Sequence, residues 1–180
     1  MRAFLDWLYR ASAALAACFL VAICVMVLLQ VGANLIDAVI AATGGTPKGL
    51  LIPSYADFAG FFLAASSFLA LASTLRHGAH IRVLLVISRF SGRTRRLTEL
   101  WCVVVGAAVS AYFSWYTIRL VAESFEYNDL SPGIVPVPLW IPQTAMALGL
   151  VILTVAFVDD LVRLVRHGDT SYIAVEKAAE

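Results

Sequence analysis

Residues 76–96, RHGAHIRVLLVISRFSGRTRR, form a basic segment without one acidic residue, set between two long apolar runs. Six of the thirteen Lys and Arg residues of the chain fall in it, at positions 76, 82, 89, 93, 95 and 96. Short connections with excess positive charge stay on the cytoplasmic side when helices insert into a membrane, so this stretch orients every helix around it. Its middle reads as a short amphipathic interfacial helix over 79–92. Apolar residues stand at 81, 83–87 and 90, while Arg82 and Arg89 are seven apart and near one helical face. Such a helix lies in the headgroup layer, where each basic residue adds roughly 1 kcal/mol of attraction to anionic lipid. Membrane phospholipid is therefore an expected partner, with Arg76, His80, Arg82 and Arg89 as candidate contacts.

On its N-terminal side the segment follows 58–75, which is uncharged, and before that lies 11–36, 26 residues without a charge. On its C-terminal side come 100–118 and 137–158, also uncharged. Each run approaches or exceeds the ~20 residues that cross a hydrocarbon core. A chain of 180 residues that is 61% hydrophobic and 14% charged has no other place for this surface. The expected fold is an all-α integral membrane protein with four transmembrane helices, at about 11–36, 57–75, 98–118 and 137–158. They form one domain over 1–167, and 168–180 is a cytoplasmic tail.

The first run resembles a signal peptide only superficially, since secretory apolar regions span about 7–15 residues and this one is longer than a bilayer core is thick. It is expected to be retained. Basic residues number two before the first span, six in the central segment and three after the last span, against one in each of the other two connections. Both termini are therefore expected in the cytoplasm of a multi-pass membrane protein. Gly44, Gly45, Pro47, Gly49 and Pro53 make the first external connection turn-rich, and Ser54 is placed to cap the second helix. The third helix is expected to run on through Arg119, Glu123 and Glu126 until Ser131, Pro132 and Gly133 break it.

Chemistry in the spans is sparse. Pumps and secondary transporters carry ionisable residues or opened backbone at depth, and none of the four runs holds an ionisable residue. That argues against an autonomous proton-coupled transporter. Cys18, Cys24 and Cys102 all lie in apolar runs without a CxxC spacing, which excludes disulfide exchange and leaves a packing role. His77 and His80 make half a metal site at most, and no motif for nucleophilic, zinc or phosphate chemistry is present. No enzyme activity, cofactor, metal or nucleic-acid partner is expected. Gly106, Ser110 and Ser114 recur every four residues, a stripe suited to close helix contact, and Gln30 and Asn34, also four apart, are placed to bond to another helix or to meet headgroups.

The sequence LRHGAHIRVLLV, 75–86, resembles the signature of the small membrane subunit, or Q subunit, of tripartite ATP-independent periplasmic (TRAP) transporters. The four-span plan and a last helix introduced by PLWIPQTAMALG, 138–149, are similar to that family as well. Leu84 departs from it, standing where the family often has an acidic residue, so a salt bridge from that position is not carried over. The resemblance implies a non-catalytic stator that pairs with a large multi-span membrane subunit, plus a periplasmic substrate-binding protein that delivers an organic acid for sodium-driven import. On that reading Glu123, Glu126, Asp129 and Trp140 form an external docking region for the periplasmic protein. The alternative is a four-span structural or assembly protein unrelated to transport.

Overall fold

A computed structural model describes residues 2–46, 49, 53–76 and 93–167. They form four helices: α1 Arg2–Ala42, α2 Tyr55–Arg76, α3 Arg93–Glu126 and α4 Trp140–His167. All four are long and apolar enough to cross a membrane. The expected interfacial helix over 79–92 lies outside the described residues, as do His80, Arg82 and Arg89.

Helix boundaries follow from local chemistry. α1 does not stop before Asp37 but continues to Ala42 and ends where Gly44 takes φ +78°, a left-handed conformation that glycine adopts without a Cβ penalty. Gly45 N–H then donates to Ile40 O (2.9 Å) and Gly44 N–H to Ala41 O (3.2 Å), the paired bonds of a Schellman cap. α3 closes in the same way around Asn128, at φ +54°, with Asp129 N–H donating to Ser124 O at 3.1 Å. It therefore ends at Glu126, five residues before Ser131. At α2 the capping expected of the Ser54 hydroxyl falls to its carbonyl, which accepts from Asp57 and Phe58 N–H, because φ +57° at Ser54 directs the side chain elsewhere. α4 runs past the charged residues 159–166 to His167.

The helices pack as an open row in the order α1, α2, α4, α3, with only slight contact between α1 and α4. α2 and α4 are central, and small residues let them approach: a Cβ on Gly149 would fall 2.5 Å from the Phe68 carbonyl and 2.9 Å from Leu69 N. A compact core of Tyr9, Ala72, Leu75 and Ala156, flanked by Leu5, Ile152, Leu153 and Phe157, joins α1, α2 and α4 near the end where the basic segment begins. The antiparallel register of α1 on α2 is set by an Asp6–Arg76 ion pair, a buried hydrogen bond from the Ser12 hydroxyl to Leu69 O, and Phe19 packed on Phe62 at 5.5 Å between ring centroids. Continued at 1.5 Å per residue, that register carries α1 past the start of α2 at about residue 26, leaving an overhang of ~24 Å up to Ala42. Leu28, Leu29, Leu35, Ile36 and Val39 on the overhang are exposed.

Candidate functional site

The two ends of the row differ in chemistry. At the end of α2 that leads into the basic segment, Arg76 is half-buried and held by its neighbours. Its guanidinium pairs with Asp6 and lies 4.7 Å from the centroid of the Tyr9 ring. Nearby on α4, Arg163 Nε meets Asp159 Oδ2 at 3.1 Å, one turn apart. Glu99 at the start of α3 and Asp160 on α4 are both buried, and both are engaged in interactions. Helical periodicity in the sequence does not show which neighbour such a charged side chain meets.

The stripe on α3 lies against α4. Gly106 faces Phe157, whose ring carbons come within 2.6–3.2 Å of where a Cβ would stand. Ser110 and Ser114 are buried, and the Ser114 hydroxyl meets Thr154 Oγ1 across the two helices at 3.0 Å while also donating to Ser110 O at 2.8 Å. On α1, the Gln30 amide donates to Asn34 Oδ1 at 3.0 Å within the helix; Gln30 is buried and Asn34 exposed.

The opposite end carries a built hairpin between α3 and α4. Leu130 and Pro138 form an antiparallel bridge, Ser131 N–H donates to Val137 O (2.9 Å), Val137 N–H to Ser131 Oγ (3.1 Å), and Leu139 N–H to Asp129 O (2.9 Å). The tip is stapled to α2 by Val135 N–H donating to Ser54 Oγ at 2.9 Å. Gly133 packs so closely over this point that a Cβ would overlap the Asp57 carboxylate and lie 2.8 Å from Ser54 Oγ. Around the hairpin Glu123, Glu126 and Asp129 are exposed, and among the described residues none of them, nor Arg119, forms an ion pair. Trp140 is half-buried, edge-on to Phe125 with centroids 5.6 Å apart. The acidic residues and Trp140 thus share one end of the molecule. The sequence assigns Ser54 a capping role and Gly133 a helix-breaking one but does not bring them together with Asp57, and it leaves Ile134 unmarked; the closely spaced Pro132, Pro136 and Pro138 are the one signal that this connection is rigid.

This arrangement spans α2, the basic segment, α3, the hairpin and α4, and over residues 48–167 the chain matches the family described as tripartite ATP-independent periplasmic transporters, DctQ component. The chain belongs to the DctQ family. It is a transmembrane component of a TRAP transporter, the small permease subunit, and the family is one of transporter components rather than enzymes. Membership removes the ground for reading the chain as an assembly protein unrelated to transport. No curated protein and no solved structure matches it. In this DctQ chain the structure places buried polar contacts between the helices, a paired arginine at the root of the basic segment, and an exposed hairpin at the other end.

Proposed function

We propose that this DctQ chain is the non-catalytic subunit of a sodium-coupled importer of an organic acid, acting as a stator for the large membrane subunit and helping to dock the periplasmic substrate-binding protein. The observation that carries this reading is the family match over 48–167, since a component of a tripartite transporter has two partners to hold together. The uncharged spans support it: with no ionisable residue at depth, ion coupling and substrate binding fall to the large subunit. The protein sits in the bacterial inner membrane with both termini cytoplasmic, the orientation that the distribution of Lys and Arg favours.

The two ends then divide the work. His80, Arg82 and Arg89 hold the cytoplasmic side to phospholipid or to the large subunit, and Arg76, engaged by Asp6 and Tyr9, fixes the point from which that segment departs. Glu123, Glu126, Asp129 and Trp140 face the periplasmic protein. Gly106, Ser110, Ser114, Gln30 and Asn34 serve packing within the subunit. The test is purification of the tagged chain in mild detergent, in which a large multi-span protein is expected to co-purify in stoichiometric yield. Recovery of the chain alone, from cells that express the whole transporter, would contradict the stator role. The Ala variant of Arg82, with topology intact, is expected to lower the yield of the complex.

A further inference from the structure

We infer that the 130–138 hairpin is the anchor of the docking surface, with Ile134 inserting into an apolar pocket of the periplasmic substrate-binding protein whose rim is basic. This rests on the docking role proposed above and names the residue that supplies its affinity. Ile134 is 84% exposed, the highest value among the large apolar residues of the described chain, and it is not on a membrane-spanning helix but at the tip of a connection. Its backbone is preorganised: the Leu130–Pro138 bridge, the Ser131 bonds and the staple from Val135 N–H to Ser54 Oγ fix the tip before any partner arrives. A rigid apolar tip loses little entropy on binding, which is how a few residues come to dominate an interface.

The surroundings select the occupant. Tyr127 and Leu130 are exposed beside the tip, Asp57 lies against Gly133, and Glu123, Glu126 and Asp129 are exposed around it, with Arg119 the one basic residue described nearby. An apolar centre inside an acidic rim is the anatomy of a protein interface. Anionic headgroups would be repelled by that rim, whereas a basic protein face would be steered onto it. The soluble partner of a tripartite transporter is the protein available on this side.

The experiment uses the complex of the two membrane subunits in nanodiscs of zwitterionic lipid and measures the affinity of the fluorescently labelled substrate-binding protein at low and high salt. Ile134→Ser is expected to weaken binding about tenfold at both salt concentrations, because the lost contact is apolar, while Ile134→Val stays within about twofold. Glu123→Lys with Glu126→Lys is expected to weaken binding at low salt only. Parent-like affinity of Ile134→Ser overturns the anchor; the docking role itself survives if the charge reversal still weakens binding and falls if neither variant does. Loss of subunit assembly in Ile134→Ser would place the tip against the large subunit and also overturn the inference. A bimane label on Ile134→Cys should emit as in water and shift to the blue when the periplasmic protein is added; blue emission beforehand, unchanged by it, would assign the tip to lipid.

Discussion

Gly149 and Gly106 occupy similar helix contacts but meet different neighbours, and the difference decides what a methyl group does at each. At Gly149 the added Cβ would strike the backbone of Phe68 and Leu69, which moves only if α2 and α4 separate. At Gly106 it would strike the ring of Phe157, a side chain that can rotate away. Overpacking of this kind costs about 1–3 kcal/mol, so Gly149→Ala is expected near the top of that range and Gly106→Ala near the bottom. Thermal unfolding of the purified subunit checks the order, and Phe157→Leu should rescue Gly106→Ala while leaving Gly149→Ala unstable. Tyr9 makes a second comparison. Its ring carries Arg76, but its hydroxyl is buried without a hydrogen-bond partner among the described residues, so Tyr9→Phe keeps the cation–π contact and removes a group that costs about 1–3 kcal/mol to bury unpaired. Its melting temperature should equal or exceed that of the parent, whereas Tyr9→Ala should fall well below it; a large loss in Tyr9→Phe would mean the hydroxyl is paired in the membrane. Neither residue stood out in the sequence. A four-residue spacing marks a stripe such as 106, 110 and 114, but Gly149 is a single glycine and only the register of α2 on α4 gives it a neighbour.

The helices themselves were legible because uncharged runs of about bilayer length need no tertiary information to be found, and α2, expected at 57–75, spans Tyr55–Arg76. Their ends were less so. α1 and α4 extend beyond their apolar runs through charged residues, since helix propagation costs little once a helix has formed, and what stops α1 is the left-handed Gly44 rather than the first charge. A rigid segment of about 41 residues is ~61 Å long, roughly twice the hydrocarbon core, and its exposed overhang at Leu28, Leu35, Ile36 and Val39 disfavours water. Keeping the uncharged part, ~39 Å over 26 residues, within a ~30 Å core takes a tilt of about 40°. Oriented-sample solid-state NMR of amides in α1 is expected to give that angle; a value under about 20° would put the end of the uncharged part outside a ~30 Å hydrocarbon core. The proposed orientation across the membrane rests on the distribution of basic residues. Reporter fusions after Lys48 and Pro132 should be active in the periplasm and those after Gly92 and Gly168 in the cytoplasm, and a periplasmic signal after Gly92 would reverse the arrangement.

At the scale of the molecule, the proposed stator role rests on the open row of helices. With α2 and α4 central, α1 and α3 offer two broad apolar flanks, and the exposed Leu20, Val25 and Leu28 on one and Trp101, Phe113 and Trp115 on the other need lipid or a protein neighbour. Moving an ion and an acid across the bilayer needs groups that replace their hydration at depth, from ionisable side chains or from the freed backbone of broken helices. The four uncharged runs supply no such side chain; α1, α2 and α3 each pass through their run as one continuous helix, and α4 does so from Trp140 onward. The hydroxyls of the buried Ser66, Ser110 and Ser114 are already committed, Ser66 to Leu63 O, Ser110 to Ala107 O, and Ser114 to Thr154 and Ser110 O, so they would have to break these bonds to meet a substrate. Liposomes containing this subunit alone, given a sodium gradient, the substrate-binding protein and its organic acid, should therefore take up no more than empty liposomes. Adding the large subunit should start uptake, and large subunit reconstituted without this chain should transport far more slowly, because a moving domain needs a fixed partner to move against. Sodium-dependent uptake by the small subunit alone would show that a permeation path exists in the row, and would end the division of labour proposed for the two membrane subunits.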